Sequence, residues 1–371
     1  MEILGRIWDY YNTLDFAHRF VSGVIFLLVF TSILLLIGIL ISRTYKNRVE
    51  KQKKKIREAY QHMLVQMVFE PEYQVGQPKY KTLIGKYNGR KSSKLERRTL
   101  VENIVEMHQG VTGTSAEILE HFYRDTNMVD FAVEDVKKGE WWVKARAFRE
   151  LSELRIREKF KLVLNYVDHS NKVLRSEAQY ASVQLGGARS LSFVEELTQP
   201  ISEWDQLVLL EKLERFIPEE LPDVSNWLDS QNDSVVIFAC KIITQFRMFK
   251  VAPKLIGLLN HSNSLVTIKG IDCIISLEFR EACPSMRRFY PNARKEVQIA
   301  IIDALAALGD TSNLNLFRDE IEQKEDFDIA MHSAMALRKL GGIPILNVLK
   351  TRELKYPKNN EIVLHALDKR I

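Results

Sequence analysis

Residues 20–41 read FVSGVIFLLVFTSILLLIGILI, and no charged residue stands between Arg19 and Arg43. A helix rises about 1.5 Å per residue, so this stretch spans about 33 Å, close to the hydrocarbon thickness of a bilayer. A helix also satisfies its own backbone hydrogen bonds, which lipid demands. Two other origins fit less well. A buried core helix rarely runs so long without a charge. A cleaved leader has a shorter apolar region, an early positive charge and small residues at the cut. Here the apolar run starts at residue 20 and ends ILISRTY. The stretch is expected to be an uncleaved transmembrane helix.

The charge distribution orients it. The chain of 371 residues is formally +5. Between Arg43 and Arg98 there are 16 Lys/Arg against 5 Asp/Glu, an excess of 11, which leaves the remainder at −6. The cluster nearest the span is Arg43, Lys46, Arg48, Lys51, Lys53, Lys54, Lys55 and Arg57. Excess Lys/Arg belongs on the cytoplasmic side. The expected topology is single-pass in the inner (plasma) membrane, with residues 1–19 outside and residues 43–371 in the cytoplasm.

Four segments precede the main domain. The 1–19 tail spaces Ile3, Leu4, Ile7, Trp8, Tyr11 and Leu14 as one face of a short helix. Trp8, Tyr10 and Tyr11 suit the headgroup level, or the tail merely leads into the span. After the span at 20–41, residues 42–70 read as a basic juxtamembrane helix with an apolar stripe of Ile56, Tyr60, Met63 and Met67. That stripe is open to a partner helix, a second copy or the folded domain. The basic cluster either sets topology and solvates the stem or binds anionic lipid, at about 1 kcal/mol per residue. Residues 71–96 read as a basic linker, because Pro71, Gly76, Pro78, Gly85 and Gly89 interrupt the helical pattern. Its cations alternate with Tyr80 and Tyr87, a composition able to grip single-stranded nucleic acid. A charged linker beside a membrane accounts for it more simply, and no nucleic-acid partner is expected.

From residue 97 to 371 the sequence repeats itself. Each copy has an apolar anchor, small residues four and seven later, and apolar residues at eight and eleven. The clearest runs Val297, Ile301, Ala304, Leu305, Leu308, Gly309; others run Ile329, Ser333, Ala336, Leu337, Leu340 and Leu174, Ala178, Ala181, Ser182, Leu185. With the weaker copies the anchors are Val111, Val143, Leu174, Asp205, Val235, Val266, Val297 and Ile329, spaced by 30 to 32 residues. Chance amphipathicity does not hold such a register. Each unit reads as two short helices, capped by residues such as Ser170 and Ser262, with Pro253 and Pro284 in the first turns of second helices. One unit cannot cover both of its faces, so the units must stack. The expected fold is all-α: a transmembrane helix followed by a right-handed α-solenoid of about seven to eight helix pairs. Residues 359–367 read as a closing helix.

These cores, with ValLys at 143–144, LeuArg at 174–175 and AlaLeuAlaAlaLeuGlyAsp at 304–310, resemble the HEAT repeat family, in its short PBS-lyase-type variety of about 30 residues. The resemblance covers about residues 97–367. The tetratricopeptide repeat is the runner-up, but its 34-residue period and Trp-Leu-Gly-Tyr pattern are missing. The family implies scaffolding, with a ligand on the concave face lined by second helices. Most copies here lack the Arg that follows the anchor, having Gln298, Ala330, Val236 and Thr267 instead. Single-pass proteins with such an array look similar to bacterial proteins linked with envelope polysaccharide synthesis.

No catalytic constellation is legible. The eight histidines form neither HExxH nor HxE, and no GxSxG or glycine-rich phosphate loop occurs. His169 and His261 occupy equivalent turns. Cys240, Cys273 and Cys283 lack CxxC spacing, and Cys273 falls on a core position. No metal and no cofactor are expected. The expected function is non-enzymatic: a scaffold holding a protein partner at the inner membrane surface, with a membrane glycosyltransferase complex as the preferred class. An anionic-lipid sensor and an enzyme-like ligand-binding array are the alternatives. Candidate partner contacts are Trp141, Arg287, Arg288, Phe289 and Tyr290. One of Trp141 and Trp142 is expected in the core.

Overall fold

The computed structural model describes residues 15–89 and 92–368, all helix and connection with no strand among them. Helix α1, Phe16–Phe69, runs 54 residues without interruption. The expected helix in residues 1–19 lies largely outside the described residues. So do Arg90 and Lys91. The span side chains from Phe20 to Ile41 that are described are exposed, and no described residue buries them. A core helix would be mostly buried, and among the described residues this one is not. One helix near the amino terminus is long and apolar enough to cross a membrane.

The described chain divides into two compact units between Asp130 and Phe131. In the first, α2 (Pro78–Asn88), α3 (Lys94–Gln109) and α4 (Thr114–Asp125) follow α1, and α3 and α4 pack on α1. The stem stripe turns inward: Met67 is buried, as are Leu64 and Val68 on the same side. The folded domain is thus what the stripe meets. The segment expected as a linker contains α2. Its Pro78 occupies the helix start, where the missing N–H costs nothing, so proline opens a helix here rather than breaking one. Tyr80 is buried and donates to Asp125 at 2.7 Å, which removes it from any nucleic-acid surface. The copy anchored at Val111 belongs to this unit, with the stem.

Helix α5 (Met128–Lys138) carries the division. The second unit contains α6 (Trp141–Glu153), α7 (Phe160–Leu164), α8 (Lys172–Gly186), α9 (Glu203–Leu213), α10 (Asp233–Gln245), α11 (Ala252–Leu255), α12 (Ser264–Ser276), α13 (Cys283–Phe289), α14 (Lys295–Ala307), α15 (Leu314–Gln323), α16 (Phe327–Lys339), α17 (Ile343–Lys350) and α18 (Pro357–Ala366). Helices α6, α8, α9, α10, α12, α14 and α16 each begin two residues before the anchor read from the sequence. Five have a side-chain cap three residues before it, at Asn171, Ser202, Asn232, Asn263 and Asp326. Ser170 and Ser262 are therefore not the caps. The asparagine after each reaches forward to the free N–H groups, which its longer side chain suits. His169 and His261 accept from the N–H of Asn171 and Asn263 at 3.0 and 3.1 Å, so both histidines hold the turn.

The helix ends repeat as faithfully as the starts. The N–H groups of Ile156, Met248, Phe279, Asp310 and Gly342 donate to the carbonyls of Leu151, Ile243, Ile274, Leu305 and Leu337. Each bond spans the same six-residue closure, with a left-handed residue just before the donor: Arg155, Arg247, Glu278, Gly309 or Gly341. Helix α8 packs against α6 and α9; α12 packs between α10 and α14; α16 packs between α14 and α18. The small residues expected to allow close approach, Ala147, Ala178, Ala239 and Ala304 among them, are buried. The polar residue after the anchor is buried too, and bonds to a carbonyl of an adjoining segment. Arg175 donates to His169 O at 2.7 Å, Gln206 to Ile201 O at 3.2 Å, Thr267 to Leu258 O at 3.0 Å and Gln298 to Tyr290 O at 3.0 Å. Glutamine and threonine thus do here what arginine does once. Two units depart from a pair of α-helices: after α8 comes the 3-10 helix Ala188–Glu196, and after α9 the 3-10 turns Pro218–Glu220 and Val224–Asp229.

Gly341 has φ +78° and no atom within 4 Å of an added Cβ, so substitution there acts through the backbone alone. Gly341→Ala is expected to lower unfolding stability by about 1–2 kcal/mol, read as a fall in the denaturant midpoint at unchanged slope.

Candidate functional site

The basic cluster beside the span is partly committed to the fold. Arg57 donates from Nε to Asn103 Oδ1 at 3.0 Å and pairs with Glu106 at 2.9 Å. Lys53 lies 3.9 Å from Glu102, and Tyr60 donates to Glu96 at 2.7 Å. Glu96, Glu102 and Glu106 all lie on α3, so this helix presents carboxylates to the stem. Lys54 pairs one turn along α1 with Glu58 at 3.9 Å. The remaining Arg43, Lys46, Arg48, Lys51 and Lys55 are exposed and make no ion pair among the described residues. Four of these five lie nearer the apolar stretch than the paired residues do.

The other candidates lie in the second unit and are not alike. Trp141 is 45% exposed and Trp142 50%, so neither is core. The expectation that one of them is buried fails because both precede the anchor Val143, on the turn where α6 begins. Arg146 lies over the Trp142 ring at 6.0 Å. Tyr290 is 1% exposed, with Lys324 over its ring at 5.3 Å, and cannot contact a partner. Its ring is buried where α13 gives way to the 3-10 turn Tyr290–Asn292. Arg287 pairs with Asp310 at 2.9 Å, Arg288 is exposed and Phe289 is half-buried. Trp204, at 72% exposed, was missed by sequence reasoning. It stands one residue before an anchor, as do Trp142, Val173 and Leu265, all exposed. An apolar side chain just outside the buried stripe was the available clue.

Groups that look reactive have structural roles. Tyr180 donates to Asp205, which also accepts from Ser202 Oγ at 2.5 Å, while Ser202 caps α9. Burial pushes the Asp205 carboxyl up, but hydrogen bonds from Ser202, Tyr180 and Ser176 outweigh it and hold the group below the usual range. Asp168 follows the same balance: burial raises it, and bonds from Thr198 and Gln199 bring it below. Cys240, Cys273 and Cys283 are free and buried, and burial lifts each thiol above its ordinary value, which disfavours the nucleophilic thiolate. Among the described residues, no group of three or more His, Cys, Asp or Glu is placed to hold a metal ion. The chain matches no known family model, and no curated protein matches it.

Two measurements follow. Arg57→Ala is expected to cost about 1 kcal/mol of stability, while Lys51→Gln and Lys55→Gln leave the unfolding midpoint unchanged. The depressed carboxyls of Asp168 and Asp205 contribute stability that is complete above the unfolded value of about 3.9 and lost as pH falls through their lower folded values. The thermal midpoint is therefore expected to fall steeply below about pH 4, and Asp168→Asn to flatten that limb.

Proposed function

We propose that this protein is a single-pass, membrane-anchored scaffold whose second unit stacks as a right-handed, HEAT-like α-solenoid on the cytoplasmic side and holds a protein partner at the membrane surface. The stacking reading is supported by the seven helices in one register and by the recurrent helix closure. Partner binding rests on one observation above all: Trp142, Val173 and Trp204 are exposed at the same position of three successive repeats, with Trp141 beside the first. Large exposed aromatics on a rigid helical surface are the usual anchors of interfaces. An anchor in the bilayer raises the effective concentration of such a partner there. The preferred partner class is a membrane glycosyltransferase complex of envelope polysaccharide synthesis, on the strength of the family resemblance. The role is non-enzymatic. A second reading, sensing of anionic lipid, is favoured by the exposed, unpaired Arg43, Lys46, Arg48, Lys51 and Lys55.

Crosslinked capture in mild detergent tests the scaffold reading, using the native chain, a chain with residues 1–42 replaced by an unrelated span, and the Trp141→Ala, Trp204→Ala double variant. The same protein is expected from the first two, with at least tenfold less on the third. Capture by the native span alone would place the interaction in the membrane and defeat this assignment.

A further inference from the structure

A groove runs along α1 where the apolar stretch ends. Leu34, Leu35, Gly38 and Ile39 line its lower part, and Ser42, Arg43 and Lys46 line its upper end. Its volume is about 540 Å³. It passes from apolar to cationic over about three and a half turns of one helix. A second groove on the same helix, of about 320 Å³, is lined by Leu28, Val29, Ser32, Ile33 and Leu36 and carries no charge.

Gly38 opens the first groove. It sits inside an unbroken helix with no left-handed φ, where alanine is better by about 1 kcal/mol. An added Cβ would meet no atom within 4 Å, so no described residue uses the space. Neither the backbone nor the packing among the described residues calls for glycine here. Leu34, Leu35 and Ser42 stand one turn away on the same face, and the missing side chain leaves a trough between them.

Depth decides what meets the cations. A helix rises about 1.5 Å per residue, so Gly38 lies about 4.5 Å inside the end of the apolar stretch, and Arg43 and Lys46 about 3 and 7.5 Å beyond it. The headgroup layer of one leaflet is about 5–7.5 Å deep. With α1 as the span, both cations stand among lipid phosphates rather than in bulk water. Neither makes an ion pair among the described residues. Arg43 brings a planar fork suited to two phosphate oxygens, and Lys46 a compact second charge. Two cations favour a headgroup of net negative charge, because they repel the ammonium of a zwitterionic one. Arg48, Lys51 and Lys55 do not line the groove.

We propose that this groove is a binding site for one anionic phospholipid, its phosphate held by Arg43 and Lys46 and an acyl chain seated over Gly38. This site rests on the lipid reading of the basic cluster, with α1 as the span, and deepens it from a diffuse charge to a place of defined shape.

Native mass spectrometry of the full chain, released from nanodiscs of equal phosphatidylcholine and phosphatidylglycerol, tests it. One phosphatidylglycerol per chain is expected to be retained, at about fivefold or more over phosphatidylcholine. Gly38→Leu fills the groove with every charge left in place, and is expected to abolish the preference. The Arg43→Gln, Lys46→Gln double variant keeps the groove without its charges, and is expected to do the same. Ser32→Leu fills the uncharged groove and is expected to leave the preference unchanged. A native unfolding midpoint in each variant separates lost lipid from lost folding. Full preference in Gly38→Leu overturns the site while the lipid reading stands, because charge alone then suffices. Equal retention of the two lipids by the native chain overturns both. A lipid-free pair of chains that Gly38→Leu splits gives the groove to the span of a second copy, and also overturns the site.

Discussion

The hydrogen bond that closes a first helix, from an N–H to a carbonyl five residues earlier, decides where everything after it in the unit goes. It forces the residue before the donor into the left-handed region and so fixes the direction in which the chain leaves. The second element can then lie back against the first, and the buried side chains of both meet. Gly309 and Gly341 adopt this conformation without cost. Arg155, Arg247 and Glu278 adopt it at about 1–2 kcal/mol each, which only surrounding packing can sustain. That packing is present: Leu151, Ile243 and Ile274, whose carbonyls accept the closing bonds, have no exposed surface.

Helix α1 poses a different constraint, because one uninterrupted helix faces two surroundings. The described side chains of its first half are exposed, and its second half buries Leu64 and Met67 where α3 and α4 pack on it. No proline interrupts it between Phe16 and Phe69, so the apolar stretch and the stem are one rod. The charges divide accordingly. Cations within reach of α3 are drawn to its carboxylates and help to seat the stem. Most of those closer to the apolar stretch keep their charge exposed. A cluster that looks uniform in sequence therefore divides in two, and the part that meets α3 is structural.

Much of this was legible. Seven anchors each fall two residues into a helix of the second unit, since a buried side chain recurring every 30 to 32 positions reports directly on packing, whereas the anchor Val111 lies ahead of α4. The apolar stretch was equally plain. What failed was local chemistry that depends on one atom or one turn. Serine and asparagine both cap helices, and only geometry told that Asn171 and Asn263 do so rather than Ser170 and Ser262. Proline and glycine between residues 71 and 96 read as interruptions, yet Pro78 opens a helix. Tyr290 was grouped with Arg287, Arg288 and Phe289 as surface, yet at the start of the 3-10 turn Tyr290–Asn292 its ring is buried. For the candidate sites, the basic cluster was visible but its division was not, because the acidic partners lie some 50 residues away on α3.

The departures from the repeat carry information of their own. Helix α8 runs to Gly186, two residues past the usual end, and its N–H closure passes from Gly187 to Val183 instead of following the common pattern. The cause is steric. A Cβ on Gly186 would stand 2.7 Å from the Phe160 ring and 2.8 Å from Ser190 Cβ, so α7 and the following 3-10 helix close in on a position where only glycine fits. The left-handed turn is thereby displaced to Gly187, and the next unit, anchored on Asp205, lacks a second α-helix altogether. It is beside this irregular pair that the chain leaves a cleft lined by Arg155, Arg157 and Arg215. Local rules that bend in a repeating fold tend to bend where something other than stacking is required of the residues.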